Sequence, residues 1–198
     1  MSALEEAVRC VVADLGALRR RFVLVGGLAV SARTEPRFTR DVDLAVLVDG
    51  DAEAEALGQS FRLRGYLPLA LVEQTERRRL ETLRLVAPRQ DERGIVVDLL
   101  FASSGIEAEV VAQGEPVEIF PGVFVPVARV GHLLALKLLS RDDLRRPQDF
   151  IDLRALMGVA TQDDLTLARE SAALISQRGY ARDRDLCSML EQLVAQPV

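Results

Sequence analysis

Histidine is scarce in this sequence, and the shortage excludes several kinds of active site. The chain has one histidine, His132, among 198 residues. A histidine-rich zinc site or a Ser-His-Asp triad is therefore hard to build. Carboxylate groups must carry any catalytic chemistry. We assign His132 itself to helix capping or packing.

Cysteine and long apolar runs are also rare. The two cysteines, Cys10 and Cys187, lie near opposite ends of the sequence. Both fit reduced, structural residues of a reducing cytoplasm. No apolar run approaches the roughly 18 residues of a membrane span, and the N-terminus has acidic residues where a signal peptide has basic ones. We therefore expect a cytoplasmic protein that makes no membrane contact.

An excess of positive charge is absent as well. The formal net charge is −5, whereas general affinity for nucleic acid requires many cations that face phosphates. Any contact with RNA or DNA must therefore be local. Hydrophobic residues make up 49% of the chain, enough to bury a core at this length.

Hydrophobic periodicity divides the chain into a mixed part and a helical part. Predicted strands cover residues 22–25, 42–48, 80–86, 95–101, 117–120 and 123–127, with helices at 3–20 and 51–64. Four further helices are predicted beyond residue 128. We therefore predict an α/β (α+β) fold in which a small mixed sheet with helices, residues 1–127, packs on a C-terminal helical subdomain, residues 128–198.

Three aspartates stand out within the predicted strands. Asp41 and Asp43 open one strand and, two residues apart, project from the same face. Asp98 lies within the apolar run of a later strand, where an unpaired charge would cost several kcal/mol, so something cationic should face it. If the two strands are neighbours, the three carboxylates converge on hard divalent cations such as Mg²⁺.

A glycine turn precedes the aspartates. Gly26 and Gly27 follow an apolar strand and open a short helix, which lets backbone amides approach phosphate oxygens. The next loop carries Arg33, Arg37 and Arg40, whose guanidinium groups suit a bidentate grip on phosphate. The pattern predicts a local anion site in an acidic protein.

Each of these features also has a structural interpretation. A Gly-Gly pair after a strand is usually a tight turn, and an Asp-x-Asp at a strand end often marks a solvated edge or a helix cap. The run Arg77-Arg78-Arg79 and Arg84 fit either a solvated strand face or a docking surface for an RNA acceptor. The aspartates and glycines are informative because of their joint order along the chain.

That order resembles the nucleotidyltransferase superfamily of polymerase-β-like fold, whose signature is a Gly-[Gly/Ser] turn, an Asp-x-Asp and a later strand carboxylate. Within it, three segments look like the AbiEii-type toxin branch of type IV toxin–antitoxin systems. They are Val25-Gly-Gly-Leu-Ala-Val, Arg40-Asp-Val-Asp-Leu, and the helical residues around Lys137 followed by Pro147-Gln-Asp-Phe-Ile-Asp-Leu. The resemblance covers residues 22 to about 157.

The resemblance implies a role for each matched residue. Asp41 and Asp43 would be metal ligands, Asp98 a third ligand or general base, and Gly26 and Gly27 the phosphate turn. Lys137 would approach the triphosphate, although a lysine that reaches out to solvent fits the pattern equally well. Asp149 and Asp152 would bound the nucleotide cleft, but they also suit ion pairs with Lys137, Arg145 or Arg146. Many active relatives have serine where this chain has Gly27.

The function implied is transfer of a nucleoside monophosphate from a nucleoside triphosphate to an acceptor hydroxyl. Mg²⁺, with Mn²⁺ as the alternative, would be the cofactor. By resemblance the acceptor is RNA, such as a tRNA 3′ end, and a cognate antitoxin protein would neutralise the toxin. Two other functions stay open: nucleotidyl transfer to a small molecule such as an aminoglycoside, and a non-catalytic binding module with a degenerate site.

Overall fold

The computed structural model of the protein describes residues 1–74, 79–88, 94–142 and 147–196. Within these residues it contains eight α-helices and seven β-strands. In chain order they are α1 Ala3–Ala17, β1 Phe22–Val25, α2 Gly26–Arg33, β2 Asp41–Val46, α3 Asp51–Leu63, β3 Leu67–Gln74, β4 Arg79–Val86, β5 Val96–Leu100, α4 Glu107–Ala112, β6 Glu115–Phe120, β7 Val123–Val127, α5 Val130–Ser140, α6 Pro147–Val159, α7 Gln162–Gln177 and α8 Leu186–Val194.

The strands form one mixed sheet in the order β3-β4-β5-β2-β1-β7-β6. The central strand β2 pairs antiparallel with β1 and parallel with β5. Two antiparallel hairpins, β3–β4 and β6–β7, complete the two edges. The predicted mixed sheet, and the predicted pairing of the Asp98 strand with the Asp41–Asp43 strand, are both confirmed.

The side chains at the start of strand β2 alternate between exposed and buried positions, as expected for a strand with one face in the core. Val42 and Leu44 are fully buried on one side, while Asp41 is exposed and Asp43 half-buried on the other. Alternate side chains point to opposite faces, so the two aspartates share the face opposite Val42. The sheet thus has an apolar face and, at this strand, a charged one.

The C-terminal helices pack together and against the sheet. Helix α5 lies among α6, α7 and α8, and α2 contacts both α5 and α6. The capping box predicted at Thr161 is present: its hydroxyl accepts from the Asp164 amide, and the Asp164 carboxylate accepts from the Thr161 amide. Among the described helices, none is long and apolar enough to cross a bilayer.

Two elements escaped the sequence prediction. Strand β3 contains Pro68, which argues against a strand, but β3 lies at the sheet edge, where the missing amide proton costs no ladder hydrogen bond. Helix α4 has six residues, too few for a periodic signal. The division into residues 1–127 and 128–198 stays a prediction. Arg77 and Arg78, and with them the basic run, lie outside the described residues.

Candidate active site

A cleft of about 760 Å³ opens between the charged face of the sheet and helices α5 and α6. Strands β1, β2, β4 and β5 form one side, and α5 with the start of α6 forms the other. The predicted site residues that line it are Gly26, Gly27, Asp41, Asp43, Asp98, Lys137 and Asp149. The structure therefore brings together residues that lie far apart in the sequence, from Gly26 to Asp149.

The three aspartates come from two neighbouring strands. In the parallel pair β2–β5, Asp43 lies directly opposite Asp98, and Asp41 lies opposite Val96. Residues that are paired across neighbouring strands project from the same face, and Asp41 shares that face with Asp43. All three carboxylates thus face the cleft. Asp98 is 5% exposed, whereas Asp41 is exposed.

The cation that faces Asp98 is the guanidinium group of Arg84. Arg84 lies opposite Asp98 in the antiparallel pair β4–β5. Its Nε donates to Oδ1 at 2.8 Å and its Nη2 donates to Oδ2 at 2.7 Å. The hydrogen bonds that Arg84 donates to Asp98 are the main cause that raises the pKa of Arg84, and the charges of Asp98, Asp41 and Asp43 raise it further. Arg84 is therefore the counter-ion of the aspartate cluster.

The donor set suits a hard divalent cation, because three carboxylates on one face offer oxygen ligands. Within the described part of the chain, no three or more His, Cys, Asp or Glu side chains are already gathered as a metal-holding group. Both oxygens of Asp98 accept hydrogen bonds from Arg84. The aspartates thus fit a metal by type and placement, and their roles as ligands stay a prediction.

The glycine turn packs tightly against the aspartates. Gly26 has φ +67°, and a Cβ atom there would lie 1.9 Å from Asp43 Oδ2. Glycine at this position is therefore required twice, by the backbone conformation and by the room that the Asp43 carboxylate occupies. Gly27 follows it in the first turn of α2, whose N-terminal amides point at the cleft.

Arg37 is the arginine of the loop that reaches this turn. A Cβ atom at Gly27 would lie 2.7 Å from Arg37 Nη2 and 3.2 Å from Thr39 Oγ1. Arg37 and Thr39 both line the cleft. The guanidinium group thus occupies the space beside Gly27 that a side chain at this position would take.

The other two arginines of the loop point elsewhere and do not line the cleft. Arg33 donates to the carbonyl oxygens of Val127 and Ala128 and pairs with Glu115 at 2.8 Å, so it ties α2 to the β6–β7 hairpin. Arg40 is exposed, with its guanidinium 5.3 Å from the ring centre of Phe38. In this arrangement Arg33 is structural. The sequence could not show this, because the loop's path has no local signal.

A chain of buried ion pairs forms the other side of the cleft. Lys137 Nζ lies 2.9 Å from Asp149 Oδ1 and 2.8 Å from Asp152 Oδ2. Arg37 Nη2 donates to the same Asp152 oxygen at 2.7 Å. Asp149 and Asp152 are 2% and 1% exposed, and Lys137 is 7% exposed. Lys137 is thus a buried ion-pair partner of Asp149 and Asp152, and its approach to a triphosphate stays a prediction. Arg145 and Arg146 lie outside the described residues.

Two opposing effects act on the pKa of Asp152. Burial raises this pKa, because it disfavours the charged form, while the hydrogen bonds and charges of Arg37 and Lys137 lower it. The balance leaves the pKa below its ordinary value. Asp152 is therefore ionised at neutral pH and fixes both cations.

The fold is similar to that of several solved structures. An antigenic nucleotidyltransferase-like protein from Paracoccidioides brasiliensis matches with a TM-score of 0.57 at 18% identity, over 95% of this chain and 92% of that one. Antibiotic-resistance factor ANT(2'')-Ia matches with a TM-score of 0.57 at 14% identity, over 87% and 91%. Lincosamide antibiotic adenylyltransferase LnuA, with lincomycin bound, matches with a TM-score of 0.51 at 13% identity, over 79% and 98%.

The chain thus has a fold that is found in a nucleotidyltransferase-like protein and in an adenylyltransferase. A family model, that of the nucleotidyl transferase AbiEii toxins of type IV toxin–antitoxin systems, matches residues 10–196. The chain belongs to this family. The match begins before residue 22 and extends past residue 157, so it includes about half of α1 and all of α8, which the sequence resemblance left unassigned. A search of the curated proteins found no match.

Proposed function

We propose that the protein transfers a nucleoside monophosphate from a nucleoside triphosphate to a hydroxyl group of RNA, such as a tRNA 3′ end. One observation carries the proposal: Asp43 and Asp98 lie side by side on parallel strands, with Asp41 on the same face, beside the glycine turn. In this role the protein is a growth-inhibiting toxin of the cytoplasm, neutralised by a cognate antitoxin. The antitoxin is proposed because the family is one of type IV toxin–antitoxin systems. The RNA acceptor is proposed from the resemblance of the sequence motifs.

In the proposed reaction an acceptor hydroxyl attacks the α-phosphorus of the triphosphate. The new phosphorus–oxygen bond forms as the bond to the bridging oxygen of the β-phosphate breaks, and pyrophosphate leaves. Asp41, Asp43 and Asp98 would hold Mg²⁺ or Mn²⁺, which neutralises phosphate charge and favours loss of the hydroxyl proton.

The glycine turn and Arg37 would hold the triphosphate. The backbone amides of Gly26 and Gly27 lie at the positive end of the α2 dipole, where anions bind favourably. Arg37 stands beside Gly27, so its guanidinium supplies a side-chain donor next to those amides. Lys137, with Asp149 and Asp152, would set the position of Arg37 from behind and close the cleft.

The test is a transfer assay with Mg²⁺, each α-labelled triphosphate in turn, and total tRNA. A variant with Asp41→Ala and Asp43→Ala is the control, and its fold is checked by circular dichroism. Label that appears on tRNA with the wild type and not with the control supports the proposal. Label on an added aminoglycoside in place of tRNA would establish small-molecule transfer. No transfer and no metal-dependent nucleotide binding would establish a non-catalytic binding module.

A further inference from the structure

Arg84 donates a pair of hydrogen bonds to Asp98, from Nε and Nη2, which we call the Arg84 fork. This fork occupies the two carboxylate oxygens that a metal ion would need. Both carboxylate oxygens of Asp98 accept from the guanidinium at 2.7–2.8 Å. A divalent cation such as Mg²⁺ needs direct contact with a ligand oxygen at about 2.1 Å. It also repels a guanidinium group held on the same carboxylate. The two cations cannot both make their best contact with Asp98.

The burial of the pair decides which partner can move. The Asp98 side chain is 6% exposed, whereas the Arg84 side chain is 49% exposed, so the arginine lies on the solvent side of the carboxylate. On its outer side Arg84 faces Ala70 of the edge strand β3, a small and exposed residue. Arg84 therefore has room and water to move into, whereas Asp98 must keep a cation beside it.

We propose that Arg84 is the resident counter-ion of the aspartate cluster and that a divalent cation displaces it from Asp98. This inference rests on the proposed function, since it assumes that Asp98 is a metal ligand. Arg84 then acts as a positioning residue: it holds Asp98 toward the cleft and keeps its charge compensated until the metal arrives. Metal affinity is lowered by the work of removing the guanidinium.

The test compares Mn²⁺ binding to the wild type, Arg84→Met and Arg182→Met, measured by electron paramagnetic resonance of free Mn²⁺. Arg182 is a matched control, because it also lines the cleft and pairs with a carboxylate, Glu81, at 2.8 Å. Both substitutions remove one positive charge from the cleft. We expect Arg84→Met to bind Mn²⁺ at least ~10-fold more tightly, because one cation–cation repulsion is removed, and Arg182→Met to stay within ~2-fold of the wild type.

Thermal unfolding with and without Mn²⁺ gives a second measurement. Arg84→Met is expected to unfold at a lower temperature than the wild type without Mn²⁺ and to gain more from Mn²⁺. Arg84→Lys keeps the charge and loses the fork, so its Mn²⁺ affinity should fall between those of the wild type and Arg84→Met. This variant also tests the idea if Arg84→Met fails to fold.

Three outcomes would overturn the inference. If the wild type binds Mn²⁺ and neither variant at position 84 binds it more tightly, Arg84 is a structural partner and the proposed function is untouched. If Arg182→Met tightens binding as much as Arg84→Met, the effect is general electrostatics. If neither the wild type nor the variants bind Mn²⁺ or transfer nucleotide, the proposed function fails together with the inference.

Discussion

On the sheet side of the cleft three carboxylates, those of Asp41, Asp43 and Asp98, lie near the guanidinium of Arg84. On the helical side two carboxylates, Asp149 and Asp152, pair with two cations, Lys137 and Arg37. We call these sets the sheet wall and the helical wall. Among these named residues the helical wall has as many cations as carboxylates, and its carboxylates are buried. The named residues of the sheet wall include more carboxylates than cations and are partly exposed, which suits this wall to bind added cations.

The first prediction would break this comparison if the sheet wall were structural. We expect Asp43→Asn to lower nucleotide transfer about 10³-fold, the usual scale for a charged group that acts in the transition state. Its unfolding temperature should be unchanged or raised, because one of three like charges is removed. Steady-state transfer rates and thermal unfolding by circular dichroism measure the two effects. An Asp43→Asn protein that no longer folds would contradict the functional assignment of this wall.

The Asp98→Asn variant distinguishes the contribution of Asp98 to stability from that of its neighbour Asp43. Transfer should fall as far as in Asp43→Asn. Stability should also fall, by about 1–2 kcal/mol, because Arg84 loses its charged partner. Urea unfolding curves give the difference. Equal stabilities for the two asparagine variants would show that the Arg84 fork contributes nothing to the fold.

Truncation of a carboxylate side chain in the helical wall should lower the free energy of unfolding of the protein. We expect Asp152→Ala to lower it by about 3–5 kcal/mol, because Lys137 and Arg37 are left beside the cleft without their shared carboxylate. Glu191→Ala, which breaks the exposed pair with Arg169, is the control and should leave the unfolding curve unchanged. Asp152→Ala with full stability would show that the ion pairs of this wall contribute nothing to the fold.

A buried histidine on α5, His132, should make the free energy of unfolding depend on pH. Burial lowers the pKa of His132 to about 4; the charge of Arg129 acts in the same direction and that of Glu109 against it. Between pH 6.5 and 4 the unfolded chain therefore binds a proton that the folded protein does not. The contribution of His132 to stability is complete above pH 6.5 and falls by about 3 kcal/mol on going down to pH 4.

His132→Leu should remove this part of the pH dependence. The measurement is the difference in free energy of unfolding between wild type and variant at pH 7, 5.5 and 4, so that the titration of carboxylates cancels. A difference that stays constant with pH would show that His132 titrates alike in both states. The sequence assigned this residue to packing, and its 1% exposure agrees with that assignment.

The smallest effect concerns the junction of the two walls. Gly27→Ala should destabilise the protein by about 1 kcal/mol, since the new methyl group meets the guanidinium of Arg37, which Asp152 holds in place. In an Arg37→Ala background the same change should cost less, because the closest contact is removed, so a double-mutant cycle should give a coupling of up to about 1 kcal/mol. Additive effects would show that Arg37 does not fill the space beside Gly27.

Local signals predicted the parts of the site that lie within single segments. Three features can be read directly from the sequence: the apolar run before Gly26, the Asp-x-Asp spacing, and the single charge of Asp98 in an apolar run. The role of Arg84 was missed, because the pairing of β4 with β5 depends on register across a long hairpin. The choice of Arg37 over Arg33 and Arg40 depends on the course of residues 34–40, for which composition gives no rule.

The pairing of β2 with β5 also sets when activity can appear as the chain folds. Asp43 and Asp98 are paired across β2 and β5 but lie far apart in the sequence. A shift of one residue in their register would turn Asp98 to the opposite side of the sheet. Contacts of such sequence separation form late and slowly compared with local ones. A partly folded molecule in which β2 and β5 are not yet paired therefore lacks the proposed metal site. Under the proposed function, activity would appear only once the tertiary structure is complete.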